Sequence, residues 1–173
     1  MKQKTWVEIS KNALQANVGE IKKIIGEDVL LLAIIKGNAY GAGITPIVSA
    51  TKSLVDWYGV DTLDEANLAR VNCDNPILIL GYVATNDAAE VVKKKFSVLV
   101  YTYELAVVLS KNATRKNPAK IHIKVDTGLV RLGLWPEESI ILAKKYLASP
   151  ILLLKACILI LQNLLTKTTT KFI

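Results

Sequence analysis

The chain has 173 residues, 51% of them apolar, and a net charge of +7. That is enough for one domain or a little more, with a real core. Cys73 and Cys157 show no CxxC spacing, so neither a disulfide framework nor a metal site is expected, and the scattered lysines lack the interleaved aromatic residues that would argue for nucleic acid.

The opening stretch MKQKTWVEIS has no apolar run of the kind a signal peptide needs. Apolar residues Leu14, Val18, Ile21 and Ile25 recur at spacings of three and four, which predicts a helix over Lys11–Ile25. The apolar run Val29–Ile35 then predicts a strand that ends at Lys36 and a glycine-rich segment, GNAYGAG. Further strands are expected at Trp57–Val60, Ile77–Leu80, Phe96–Tyr101 and Ile121–Val125. They are short and almost continuously apolar, as strands covered on both faces are. Helical patterns separate them at Thr62–Val71, Asn86–Lys95 and Tyr103–Arg115, and Pro136–Ala148 opens with a proline and two glutamates, a favourable helix start. A sixth strand is expected at Ile151–Leu154. The longest apolar run, 151–165, is interrupted by Lys155 and includes Gln162 and Asn163, so no membrane span is expected and the cytoplasm is the simplest compartment.

Strands alternating with helices argue for parallel βαβ units. An open doubly wound sheet and a (β/α)8 barrel both fit, and in both the functional residues sit at the carboxyl ends of strands. Lys36 is at such an end, and so is Asp126-Thr127-Gly128. The dinucleotide fingerprint GxGxxG is absent. A full barrel takes about 250 residues, so a barrel built from this chain would be incomplete, with five to six of eight strands. A lysine ending a buried strand is the kind of position in which amine nucleophiles are found. The plainer alternative is a lysine that leaves the sheet and reaches solvent. His122, in the middle of IHIKV, reads as structural.

From about Thr5 to Pro150 the chain resembles the alanine racemase family, pyridoxal-phosphate enzymes that interconvert L- and D-alanine. The likeness rests on TWVEISKNALQANV at 5–18, AIIKGNAYGAG at 33–43 and HIKVDTGLVRLGL at 122–134. Weaker echoes are GVDTLDEANLAR at 59–70 and PILILGY at 76–82. The resemblance implies a (β/α)8 TIM-type barrel followed by a β-rich domain, in a head-to-tail homodimer. It implies pyridoxal 5′-phosphate as cofactor, bound by Lys36 as a Schiff base. Tyr40 would reach the phosphate, and Arg131 would hydrogen-bond the phenolic oxygen. Lys124 matches a lysine that is carbamylated in some members and orients that arginine; its plain alternative is a strand lysine paired with a carboxylate. Lys36 would serve as the base on one face of the substrate, with a tyrosine of the partner's C-terminal domain on the other. Some positions depart from the family pattern. Ala42 stands where histidine is usual, Gly37 where alanine is common, and Leu129-Val130 where methionine and glycine precede Arg131. A valine there is expected to crowd the turn, because β-branched residues tolerate positive φ poorly.

The stretch 151–173 has no glycine, proline or acidic residue and lacks the continuation the family would show. One hypothesis is that it is a frameshifted reading: with suitable synonymous codons, another frame permits MYSHFAKLADED. That requires Leu159 to be encoded by CTC, Leu164 by TTG and Leu165 by CTG, so the gene sequence decides it. The expected organisation is therefore residues 1–150 as the N-terminal part of a cofactor barrel, 151–173 as an aberrant tail, and no C-terminal β domain. The expected function is alanine racemisation by descent, supplying D-alanine for peptidoglycan, with these 173 residues inactive alone. The alternatives are a racemase for another small amino acid such as serine, a non-catalytic single-domain cofactor-binding protein, and a non-functional fragment.

Overall fold

The computed structural model describes residues 5–146 and 149–159. The chain divides into two units, Met1–Val98 and Leu99–Ile173, with the boundary inside the fourth strand. Among the described residues, six parallel strands follow one another in chain order, fewer than the eight of a (β/α)8 barrel.

The first unit opens with α1 (Lys11–Ile25), whose limits agree with the sequence pattern. Ser10 caps it by accepting the Ala13 N–H, and Lys22 and Lys23 in its last turn complement the helix dipole. Strand β1 is shorter than expected, Leu32–Ile34 only. The run from 29 is apolar but not covered: Val29 and Leu30 are exposed, and Ile34 is barely better shielded. Hydrophobicity alone could not separate these positions from core. Next comes α2 (Lys36–Tyr40), a single turn with left-handed backbone, followed by α3 (Ile44–Thr51), a helix the sequence pattern did not predict. Strand β2 (Trp57–Val60) pairs with β1 in the register Leu32↔Trp57 to Ile34↔Gly59. Helix α4 (Leu63–Asn72) starts at the Thr62 cap and leads to β3 (Ile77–Ile79). Thr85–Asp87 forms a short 3₁₀ turn before α5 (Ala88–Lys93), and β4 (Ser97–Val100) then pairs with β3. Strands β2, β3 and β4 are buried along nearly their whole length, as two-sided cover requires. Tyr58, fully buried in β2, shares a 2.7 Å hydrogen bond with the Thr51 hydroxyl, so its polar end is satisfied inside the core.

In the second unit, α6 (Tyr103–Asn112) is capped by Thr102 and buries Leu105, Ala106 and Leu109. Strand β5 (Ala119–Val125) is the longest buried strand. Helix α7 (Pro136–Tyr146) places Glu137 and Glu138 in its first turn and Lys144 and Lys145 in its last. Strand β6 runs over Leu152–Leu159, well past the expected 151–154, and pairs with β5 through a shift between Ile121 and His122. The remainder of the tail, 160–173, lies outside the described residues. No helix among the described residues is long and apolar enough to cross a membrane.

Candidate functional site

Lys36 sits two residues beyond the end of β1, after Ile35, and the chain folds sharply there. Gly37, Asn38, Ala39 and Tyr40 all have positive φ, between 51° and 61°. Left-handed helical backbone disfavours L-residues, so three consecutive non-glycine residues in it need outside support. Asn38 supplies much of it. Its carbonyl accepts the Gly43 N–H at 2.8 Å, and its side-chain Oδ1 accepts the Ile44 N–H at 3.0 Å, which caps α3. Its own N–H donates to Glu65 Oε1 at 2.9 Å.

The Lys36 side chain is half-exposed (39%), and its Nζ lies 3.7 Å from Asp61 Oδ1 at the end of β2. The amine is therefore accessible and ion-paired rather than sealed in the core. Asp61 is packed closely against the next strand end: a Cβ on Gly81 would come within 2.4 Å of the Asp61 carbonyl oxygen. Tyr40 leaves the same turn with 72% of its surface exposed.

Lys124, Asp126 and Arg131 belong to the second unit. Lys124 is 5% exposed near the end of β5 and donates to the Val125 carbonyl at 3.0 Å. Burial pushes its pKa down; Asp126 opposes that shift and Arg131 adds to it, so the three charges act on one another. Asp126 organises the turn that follows. Its Oδ1 accepts the N–H groups of Gly128 at 2.9 Å and Val130 at 3.1 Å. Burial alone would raise its pKa, but the N–H groups of Val130, Gly128 and Leu129 and the Lys124 charge outweigh that and leave it below the usual carboxylate range. Val130 has φ 52°, the positive value that makes a β-branched residue costly just before Arg131. Arg131 itself is exposed. Gly133 then approaches the Asp126 backbone so closely that a Cβ would lie 2.5 Å from the Asp126 nitrogen. His122 is buried in β5, and desolvation, helped by the Lys155 charge, lowers its pKa to about 4. It is neutral at pH 7.

The sequence-derived residues thus fall into two local groups. Lys36 and Tyr40 share one left-handed turn; Lys124 and Arg131 flank another turn, built on Asp126. Sequence reasoning missed Asp61 and Glu65. The signal for Glu65 was the Thr62-x-x-Glu65 spacing of a capping box.

Comparison with known proteins bears on the family and the fold. The family model "Alanine racemase, N-terminal domain" matches residues 9–164. Alanine racemase 1 of Caldanaerobacter subterraneus subsp. tengcongensis is 41% identical over 132 residues, covering 75% of this chain and 34% of that protein. The alanine racemase of Symbiobacterium thermophilum is 37% identical over 137 residues, covering 78% and 36%. Among solved structures, the alanine racemase of Bacillus anthracis with bound L-Ala-P superposes with a TM-score of 0.80 at 29% identity, covering 92% of this chain and 42% of that one. The Clostridium difficile 630 alanine racemase gives 0.79 at 28%, covering 86% and 40%. The chain therefore spans well under half the length of the proteins it matches.

Proposed function

Since this chain belongs to the alanine racemase family through its N-terminal domain, we propose that it forms the cofactor-carrying part of a pyridoxal-phosphate-dependent racemase that interconverts L- and D-alanine. The observation that carries the proposal is the accessible Lys36 amine at the end of β1, held by a left-handed turn inside the matched region. The residues present suit the cofactor chemically. Lys36 offers a primary amine to an aldehyde, Tyr40 an exposed hydroxyl to a phosphate, and Arg131 a cationic donor to a phenolic oxygen. When bound, pyridoxal phosphate supplies an electron sink that makes the substrate Cα proton removable.

The chain's own residues then divide the work. Lys36 anchors the cofactor and moves a proton at Nζ on one face of the substrate. Asp61, 3.7 Å away, pairs with that amine and helps hold it in place. Arg131 would hold the cofactor's phenolic oxygen, and the buried Lys124, whose charge is felt by Arg131, would orient that arginine, with carbamylation as the form expected from the family. The acid–base group for the opposite face comes from a partner subunit's C-terminal domain in this reading. The 173 residues by themselves therefore bind cofactor without racemising alanine. The reading places the whole enzyme in the cytoplasm as a homodimer that supplies D-alanine to peptidoglycan.

The test is to mix the chain with pyridoxal phosphate, fix the adduct with borohydride and map the peptides. The expected label is on Lys36, lost in Lys36→Ala. Label on other lysines with none on Lys36 refutes the proposal. Complementation of a D-alanine auxotroph by these 173 residues alone would refute the statement that they are inactive by themselves.

A further inference from the structure

We propose that Glu65 is a positioning residue for the Lys36 amine, holding the lysine's turn and the facing Asp61 with the two oxygens of one carboxylate. In a capping box the glutamate three residues after a threonine cap turns back to the cap's own N–H. Thr62 does its half, accepting the Glu65 N–H at 3.2 Å. The Glu65 carboxylate goes elsewhere. Oε2 accepts the Asp61 N–H at 2.8 Å, and Oε1 accepts the Asn38 N–H at 2.9 Å. One oxygen holds the residue that faces Lys36 Nζ; the other holds the left-handed turn that starts beside Lys36.

The arrangement does more than cap a helix. Asn38 is one of three consecutive non-glycine residues in left-handed backbone, a conformation that persists only where surrounding contacts over-determine it. Asp61 is located from behind by the close approach to Gly81. Glu65 ties these two points together, so the 3.7 Å separation of Nζ and Oδ1 depends on it. A carboxylate offers one oxygen to each N–H group; a glutamine has one oxygen, and its amide would direct a donor at the other N–H.

The inference rests on the proposed role of Lys36, and the test separates the two. The variants are Glu65→Gln and, as a control that weakens the same helix start without touching the carboxylate, Thr62→Ala. Hydrogen exchange at the Asn38 and Asp61 amides reads the two bonds directly. Pulse acylation by acetic anhydride reads the Lys36 amine without any cofactor. Borohydride fixation after a pyridoxal phosphate pulse reads the rate of cofactor attachment. In Glu65→Gln we expect both amides to exchange at least tenfold faster, the acylation rate at Lys36 to change at least threefold, and cofactor attachment there to fall at least tenfold. Thr62→Ala should stay within twofold of the parent chain in both Lys36 readings. Unchanged amide exchange overturns the inference. So does faster exchange with Lys36 acylation at the parental rate, which would make Glu65 a purely structural residue, and so does an equal effect of Thr62→Ala. If the parent chain takes no cofactor on Lys36, the proposed function fails; the acylation and exchange arms still decide whether Glu65 positions the amine.

Discussion

Replacing Val130 by asparagine should stabilise the second unit. Val130 sits at φ 52° with 77% of its surface exposed. A left-handed residue with a Cβ costs about 1–2 kcal/mol. Asparagine tolerates that region because its short polar side chain can bond locally. The burial given up is small: full burial of a valine is worth about 1.5–3 kcal/mol, and a quarter of that is roughly 0.5 kcal/mol. The Val130 N–H keeps its 3.1 Å bond to Asp126 whatever the side chain. The net expectation is a gain of about 1 kcal/mol for Val130→Asn. Val130→Gly relieves the same strain but adds freedom to the unfolded chain worth about 0.5–1 kcal/mol, and should come out near neutral. The assay is equilibrium urea unfolding, read as a change in midpoint at constant slope. A Val130→Asn midpoint at or below that of the parent chain, with the slope unchanged, refutes the strain argument.

Two further outcomes follow from the same region. His122 has its pKa lowered to about 4 in the folded chain, against about 6.5 unfolded, so between those values the unfolded state binds more protons. Stability should therefore fall as pH drops from 6.5 towards 4, by up to about 3 kcal/mol at 1.36 kcal/mol per pKa unit; a His122→Asn chain with the same pH slope over that interval would show another group responsible. Gly133→Ala would drive a Cβ to 2.5 Å from the Asp126 nitrogen and 2.9 Å from its Cα, at φ 146°. Neither backbone can yield cheaply, so the expected loss is about 2–3 kcal/mol, and an unchanged urea midpoint would disprove the contact.

Much of this architecture could be read from the sequence, for reasons that differ by element. Helix α1 is legible because its apolar residues keep helical spacing, and β2 because its short run WYGV stands between turn signals. Strand β1 is half as long as its apolar run, since hydrophobicity does not report which side chains find a cover. Helix α3 escaped because ITPIVSAT is rich in β-branched residues and contains a proline, and because its start is fixed by Asn38 from six residues upstream. At the candidate site, the crowding at Val130 followed from stereochemistry once the family's usual glycine at that position was taken into account. The role proposed for Lys36 did not: by spacing it is a strand-end lysine, and its exposure and pairing with Asp61 are what such a lysine would show anyway. The roles proposed for Tyr40, Arg131 and Lys124 likewise rest on family likeness. Glu65 was hidden because its spacing signals a helix cap, whereas in the folded chain its carboxylate serves two other residues.

The sequential order of the strands bears on how the molecule can be made. Each of β2, β3 and β4 lies beside a neighbour already synthesised, and β6 likewise lies beside β5. No strand in the first 98 residues waits for a later one to complete its ladder with its predecessor. A ribosome releasing about 5–20 residues per second would deliver each strand to a finished edge, so assembly can keep pace with translation from the amino end. Arrested nascent chains released at residue 98 should already protect the amides of β2 and β3 from exchange.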